Sequence, residues 1–302
     1  MKAFFLRGGS KGLCSIEFGP DGLVFVFSNS KIKPIIQICD FYPVISSTQR
    51  DKVLTNLVTQ NNLQRTDCNI VLHPDNYRLL MVNAPNVPEN EIKNAVKWQI
   101  KDMINFTLDD TVIDIFSPEE VQKHVKKIYV IAAQKSFLED IQLAVHNAGL
   151  KPVAIDIREF AARNIISHLA PLNETSTFID IESENTLMLT TKYNSIQFIR
   201  SIPIGFKICK ASNSFAPLIA EMQRSLHYCD SELKLQPPKQ FFIAPGKEVD
   251  ELTLQSLARG LGKEVKLIDT NAAVSFTKPL SIELQSLCWS AVGGALRKME
   301  NS

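Results

Sequence analysis

The 302-residue sequence has no long apolar run, no excess of either charge and no paired cysteine motif. About 18 consecutive uncharged apolar residues are needed to cross a membrane, so we expect that the chain itself does not insert into one. Lysine and arginine number 33 against 32 aspartates and glutamates, and they are scattered along the chain. This balance excludes the basic field that holds a nucleic-acid backbone, so we expect no nucleic-acid partner.

The six cysteines lie far apart, and no cysteine or histidine pair has the spacing of metal ligands. Most of them lie among apolar residues, which is typical of reduced cysteines that fill a core in a reducing compartment. The apolar stretch near the N-terminus is too short for the core of a signal peptide. We therefore expect a cytoplasmic protein with no metal site and no thiol chemistry.

A length of 302 residues, with 45% apolar side chains, exceeds what one hydrophobic core usually organises, so we expect two lobes. The first is predicted at residues 1–172, with a small inserted α-β-β-α subdomain at about 84–150. The second is predicted at residues 173–302, with a C-terminal helix that returns to the first lobe. Both lobes combine short antiparallel strands with helices, which indicates a duplicated α/β fold.

Short β-rich runs open each predicted lobe. The runs at 13–18 and 23–28 flank the turn formers Gly19-Pro20-Asp21-Gly22, and this pattern predicts a β-hairpin. Three runs at about 177–205 are separated by short turns, which predicts an antiparallel meander. A helix with a clear 3.6-residue apolar period is then predicted from Ser214 to Leu235.

Taken in order, these motifs resemble the PilM group of proteins, and within it the MSHA pilus biogenesis proteins. Residues 15–19, Ser-Ile-Glu-Phe-Gly, stand where the family has a first phosphate hairpin, and residues 178–186, FIDIESENT, resemble the second. Arg200 and Gly205 match the end of a family strand, and residues 221–233 resemble its Glu-x-Gln-Arg-Ser-Leu helix. The segment FFIAPG, at 241–246, stands where an adenosine loop would be. Three further segments resemble parts of the family sequence: AVKWQIKDMINFTLDD at 95–110, IDIREFAARN at 155–164 and AVGGALRK at 291–298.

The resemblance implies a duplicated ribonuclease-H/actin-like fold in two lobes. In that family, the soluble protein helps to assemble the inner-membrane platform of a type IV pilus by binding the short cytoplasmic tail of a single-span membrane protein. The chain is therefore expected to be a cytoplasmic adaptor that reaches the inner membrane through this partner. The alternatives are an active actin-like ATPase, a filament-forming relative, and the cytoplasmic module of a type II secretion platform. Self-association is left open.

The resemblance also implies a nucleotide cleft. Phosphate hairpins need bare backbone N–H groups and no nearby negative charge. Pro20 has no N–H group, Asp21, Glu182 and Glu184 add carboxylates, and Pro245 replaces a glycine of the adenosine loop. We therefore expect a vestigial cleft with no catalytic residues, no ATPase activity and no required cofactor. The alternative is ATP with magnesium held as a static structural ligand. The residues that would line this cleft are Glu17, Gly19, Asp180, Ser183, Thr186, Gly205 and Gly246.

A partner-binding surface is predicted around the helix from Pro88 to Ile104. Its buried stripe would consist of Ile92, Ala95, Val96, Gln99, Ile100 and Met103. Trp98 lies on the opposite side, where a large aromatic favours coverage by a partner. The resemblance places the tail-binding groove in this region, with Ile104, Phe106 and Leu108 along it. An extended tail could add a strand to an exposed sheet edge there. The alternative is that Trp98 packs under the strand VIDIFS or against the first lobe.

Overall fold

The computed structural model of the protein describes residues 12–118 and 127–297, which divide into two compact units. Among the described residues, the first unit consists of 12–73, 138–161 and 274–297. The second unit consists of 74–118, 127–137 and 162–273. The units differ from the lobes predicted from the sequence in that residues 74–137 and 162–172 group with the later part of the chain, whereas residues 274–297 group with the first unit.

Strands and helices alternate along both units. In chain order the strands are β1 (Leu13–Phe18), β2 (Gly22–Ser28), β3 (Ile35–Pro43), β4 (Asp67–Leu72), β5 (Tyr77–Asn83), β6 (Thr111–Phe116), β7 (Lys127–Gln134), β8 (Lys151–Ile157), β9 (Ser176–Ile181), β10 (Thr186–Lys192), β11 (Ser195–Ile202), β12 (Gln240–Ile243), β13 (Val265–Leu267) and β14 (Ser275–Phe276). The α-helices are α1 (Ser47–Gln60), α2 (Ile92–Gln99), α3 (Lys135–Asn147), α4 (Arg158–Leu169), α5 (Phe206–Ala211), α6 (Ala216–Ser231), α7 (Glu251–Leu261), α8 (Thr270–Ala273) and α9 (Ile282–Ala295). Short 3-10 turns lie at Pro74–Asn76, Glu89–Glu91, Lys101–Met103 and Leu108–Asp110.

The first unit is built on a six-stranded mixed sheet in the order β14-β3-β2-β1-β4-β8. The predicted hairpin is confirmed, since β1 and β2 pair antiparallel with Phe18 opposite Leu23. Helix α9 packs on this sheet, and glycine permits the close approach. A Cβ atom on Gly294 would lie 2.3 Å from Ser15 Oγ and 2.5 Å from Val71 Cγ2.

The second unit contains a five-stranded sheet in the order β11-β10-β9-β12-β13. The predicted meander is confirmed, because β9, β10 and β11 are consecutive antiparallel neighbours. Strands β12 and β13 extend this sheet in parallel on the other side of β9. Helices α6 and α7 cover it and complete an apolar core, which includes Leu218, Met222, Phe241, Ile243 and Leu257.

A small three-stranded antiparallel sheet in the order β5-β7-β6 also belongs to the second unit. The set of strands and helices around this sheet differs from the α-β-β-α subdomain expected at 84–150. Strand β5, which precedes that range, pairs with β7 from Tyr77 opposite Ala133 to Asn83 opposite Lys127. The residues of α3 from Leu138 onward group with the first unit instead. Seven paired residues make β5 an integral strand of the small sheet.

A buried tyrosine joins the small sheet to the meander inside the second unit. The backbone N–H of Ile199 donates to Tyr129 Oη at 2.8 Å, and that hydroxyl donates to the Ile199 carbonyl oxygen at 3.3 Å. Burial raises the pKa of Tyr129 above its usual value, so the hydroxyl stays protonated and able to donate. The ring stacks on Phe116 with centroids 5.1 Å apart. Because β11 is an edge strand, this one hydroxyl satisfies two backbone groups that lack a neighbouring strand.

The substitution Tyr129→Phe is expected to lower the free energy of unfolding by about 1–3 kcal/mol, because both backbone groups of Ile199 would remain buried without a partner. Urea unfolding of the full chain measures this change. The matched control is Tyr228→Phe, since the Tyr228 hydroxyl makes no hydrogen bond within the described ranges. Equal stability losses in the two variants would contradict the bridging role of Tyr129.

Candidate functional site

The first predicted phosphate hairpin connects β1 to β2 in the first unit. Glu17 is buried near the end of β1 and accepts a hydrogen bond from the Ser290 hydroxyl of α9. The backbone N–H of Gly19 donates to the Gly22 carbonyl oxygen at 2.9 Å and closes the turn. Pro20 and Asp21 are exposed at its tip. The hairpin thus presents a residue without an N–H group and a carboxylate.

The second predicted phosphate hairpin connects β9 to β10 in the second unit. Asp180 lies near the end of β9 and is buried. The N–H of Glu182 donates to the Asn185 carbonyl oxygen at 2.8 Å, which closes the turn, and Ser183 is exposed at the tip. The Thr186 hydroxyl donates to the Ile204 carbonyl oxygen at 2.7 Å. Its proton is therefore engaged in holding the hairpin.

Gly205 brings the start of α5 against this second hairpin. A Cβ atom at Gly205 would lie 2.3 Å from the Glu182 carbonyl oxygen and 2.4 Å from that of Ser183. This proximity lets the N–H groups of Phe206 and Lys207 donate to those two oxygens, both at 2.9 Å. The helix start is therefore fastened to the hairpin through backbone hydrogen bonds. Ser183, Thr186 and Gly205, which the sequence placed in one site, do lie together.

Glu184 at the tip of the second hairpin forms an ion pair with Lys207, with an Nζ to Oε1 distance of 3.0 Å. Both side chains are mostly exposed, so the pair contributes little to stability. It offsets part of the negative charge at this tip. Glu182 is half-buried beside it.

Arg200 and the Glu-x-Gln-Arg-Ser-Leu helix, both part of the family resemblance, are connected by hydrogen bonds and ion pairs. Arg200 on β11 donates from Nη2 to Glu221 Oε2 at 2.8 Å and from Nη1 to Ser225 Oγ at 2.8 Å. Arg224 reaches the other oxygen of Glu221 at 2.6 Å. These residues therefore tie the meander to α6. The sequence showed the two motifs separately but carried no signal that they touch.

Gly246 follows β12 in the second unit and accepts a hydrogen bond from the Val249 N–H at 3.1 Å. Pro245 beside it is buried. Of the seven predicted cleft residues, Glu17 and Gly19 thus belong to the first unit and the other five to the second. Over the two described ranges, no group of three or more histidine, cysteine, aspartate or glutamate side chains is arranged to hold a metal ion.

Trp98 lies on the solvent side of α2 with 68% of its surface exposed. The alternative that it packs under a neighbouring strand is therefore wrong. Val96 and Ile100 are buried in the core of the small sheet, as the stripe predicts. Met103 was expected in the same stripe but is half exposed, because the α-helix ends at Gln99 and continues as a 3-10 turn of different period.

The other predicted groove residues follow this helix. Ile104 and Phe106 are half-buried and pack against the core of the small sheet. Leu108 is half-buried and opens a 3-10 turn that ends at Asp110. Asp110 accepts hydrogen bonds from the side chains of Gln134 and Ser136 and from the Ser136 backbone N–H. These bonds anchor Asp110 and lower its pKa. The segment is therefore held against the end of β7.

Comparison with known families gives one match. A family model described as type IV pilus assembly protein PilM matches residues 52–212, more than half of the chain. No curated protein sequence matches the chain significantly.

Solved structures share the fold at low sequence identity. A PilM-PilN type IV pilus biogenesis complex has a TM-score of 0.69 and 19% identity, over 95% of this chain and 98% of that one. A protein of unknown function with an actin-like ATPase fold from Bacteroides thetaiotaomicron has a TM-score of 0.53 and 12% identity, over 95% and 98% of the two chains. The cytoplasmic domain of EpsL, an inner-membrane component of the type II secretion system of Vibrio cholerae, has a TM-score of 0.52 and 9% identity, over 91% and 93%. The α/β fold is therefore actin-like.

Proposed function

Since the chain belongs to the PilM family of type IV pilus assembly proteins, we propose that it is a cytoplasmic adaptor of the inner-membrane platform of an MSHA-type pilus. It binds the cytoplasmic tail of a single-span membrane protein and stays at the membrane through that partner. The similar PilM structure, which was solved as a complex with PilN, supports this role. The described part of the chain contains no helix with the length and apolar character of a membrane span.

The exposure of Trp98 carries the proposal. Aromatic residues with large exposed area are the usual anchors of protein interfaces, because covering them removes much apolar surface from water. The flanking residues Ile104 and Phe106 fix the segment that follows by packing into the small sheet. Strands β5 and β6 are the edges of that sheet, where an extended tail can add a strand. The MSHA assignment itself rests on the order of the sequence motifs.

The substitution Trp98→Ala is expected to weaken tail binding about 30-fold or more, which corresponds to the roughly 2 kcal/mol of a strong interface anchor. The partner is first captured from detergent-solubilised inner membranes and identified as a single-span protein. A synthetic peptide of its cytoplasmic tail is then titrated into the full chain. Trp98 fluorescence reports binding to the wild type, because the other tryptophan, Trp289, is 2% exposed. Calorimetry measures the affinity of the peptide for the wild type and for Trp98→Ala.

The matched control is Leu252→Ala, which removes an equally exposed apolar side chain from α7, at 70% exposure. It is expected to bind the tail like the wild type. Wild-type affinity in Trp98→Ala would remove Trp98 from the interface. Capture of a type II secretion component with no pilus protein would instead favour a role in a type II secretion platform. The cytoplasmic domain of EpsL, a component of such a system, has a similar fold.

We further propose that the nucleotide site is degenerate and that the chain does not hydrolyse ATP. Support comes from each hairpin taken by itself. The N–H groups of Gly19 and Glu182 already donate within their own turns. Pro20 offers no donor, and the exposed carboxylate of Asp21 would repel a phosphate. The N–H groups of Phe206 and Lys207 at the start of α5 already donate to carbonyl oxygens of the second hairpin.

Titration with a fluorescent ATP analogue and magnesium is therefore expected to show no saturable binding at micromolar concentrations, and phosphate release should equal the background. Asp180→Ala should leave both signals unchanged. Micromolar affinity that is lost in Asp180→Ala, together with turnover, would overturn the degenerate site and favour an active actin-like ATPase. Tail binding by Trp98 is a separate measurement and is not affected by this outcome.

A further inference from the structure

A cavity of about 240 Å³ opens in the second unit, between the end of α6, the loop that follows it and strand β10. Its residues differ from those of the hairpins and of the Trp98 surface. Buried side chains form its floor, and exposed polar side chains form its rim. The floor includes Thr190, Cys229, Leu235 and Pro238, and the rim includes His227, Asp230, Gln236 and Lys263.

The loop that walls this cavity is held in place by backbone hydrogen bonds. The N–H of Leu233 donates to the Tyr228 carbonyl oxygen at 3.3 Å, and that of Leu235 donates to the Cys229 carbonyl oxygen at 2.9 Å. Between them, Lys234 takes a left-handed conformation with φ of 55°. A residue with a Cβ atom adopts this conformation at a cost of about 1 kcal/mol, so the surrounding contacts enforce it. The cavity wall is thus preformed.

Two opposite charges line the rim without pairing. Asp230 lies in the last turn of α6, and Lys263 follows Gly262, the left-handed residue that ends α7. Within the described ranges, neither side chain has an oppositely charged group within 4.0 Å. Both charges therefore remain open to a ligand, whereas a polyphosphate would be repelled by the Asp230 carboxylate. His227, on the same helix, also faces this rim.

We propose that this cavity binds a free α-amino acid with an apolar side chain. Its side chain fills the apolar floor, its ammonium group pairs with Asp230 and its carboxylate pairs with Lys263. The volume suffices, because a cavity of about 150 Å³ already admits benzene. Small-molecule sites combine an apolar surface with a few polar groups that fix orientation, as here. A pure hydrocarbon would leave both charges unused.

The test is titration of the full chain with L-leucine and with L-phenylalanine, followed by calorimetry and ligand-observed NMR. A ligand of this size is expected to bind with a Kd on the order of 1 mM or below. Asp230→Asn and Lys263→Gln should each weaken binding at least tenfold. Both residues are exposed, so the melting temperature should stay unchanged. The matched control is Lys247→Gln, an exposed lysine outside the cavity.

Two further ligands separate recognition of the charges from mere apolar filling. N-acetyl-L-leucine lacks the ammonium group and L-leucinamide lacks the carboxylate, so both should bind at least tenfold more weakly than L-leucine. Equal binding of these compounds, or unchanged affinity in the two charge variants, would overturn the proposal. The absence of saturable binding of both amino acids up to about 10 mM would also overturn it.

Discussion

The variant Gly205→Ala is expected to lose about 3 kcal/mol of unfolding free energy, or more. The new methyl group would lie 2.3 Å from the Glu182 carbonyl oxygen and 2.4 Å from the Ser183 carbonyl oxygen. Overpacking usually costs about 1–3 kcal/mol when side chains can move aside. Here both obstacles are backbone atoms, so relief requires the start of α5 to leave the hairpin. The two hydrogen bonds from Phe206 and Lys207 would then be lost as well.

Gly19→Ala is the matched control, because Gly19 also follows a strand in a predicted phosphate hairpin. Its Cβ atom would meet nothing closer than 3.7 Å, and its φ is not left-handed. This variant should keep wild-type stability or gain a few tenths of a kcal/mol through the unfolded state. Urea unfolding of both variants makes the comparison. A loss below about 1 kcal/mol in Gly205→Ala would show that the contact relaxes easily.

Elements with strong local signals were predictable from the sequence. The hairpin of β1 and β2 and the meander of β9 to β11 are confirmed, because turn formers and alternating apolar runs encode them within a few residues. Strand β3 was not predicted. It lies near the edge of its sheet, and most of its residues are only partly buried, so its apolar alternation is weak.

Contacts between distant segments were not predictable. The pairing of β5 with β7 joins strands about 50 residues apart, and the register appears only in three dimensions. The bond of Tyr129 to Ile199 spans 70 residues and carries no sequence motif. The boundary of the small sheet depends on both contacts. The PilM family and the actin-like fold are confirmed, since the family model matches residues 52–212 and solved structures with this fold match over most of the chain.

For the candidate site, the local motifs indicated single residues but not their arrangement. Local motifs placed Ser183, Thr186 and Gly205 in one site, and the structure brings these three together. The engagement of the Thr186 hydroxyl by Ile204 carries no local signal. The helical period placed Trp98 opposite the buried stripe of α2 but left open whether a strand or the first lobe covers it, and its exposed fraction is 68%. Met103 departs from it because a 3-10 turn replaces the last α-helical turn.

Breaking the ion pair between Arg297 and Asp156 is expected to have the second large effect, in the first unit. Arg297 Nη1 lies 2.5 Å from Asp156 Oδ1, and Asn69 Nδ2 donates to Asp156 Oδ2 at 3.1 Å. The Asp156 side chain is only 2% exposed, so Arg297→Met would leave a buried carboxylate without a cation. Removing one partner of a fully buried pair costs about 3–5 kcal/mol. Because Arg297 is 32% exposed and water can replace it in part, we expect about 2–3 kcal/mol.

The double variant Asp156→Asn with Arg297→Met should recover most of this loss, because no uncompensated charge then remains in the core. Lys93→Met is the surface control. Its pair with Asp114 is 2.9 Å long but mostly exposed on both sides, so the loss should stay below about 1 kcal/mol. Urea unfolding of the wild type, Arg297→Met, Asp156→Asn and the double variant gives the coupling energy between the two residues. Additive losses in the double variant would contradict a direct interaction, since coupled residues in contact deviate from additivity by about 0.5–3 kcal/mol.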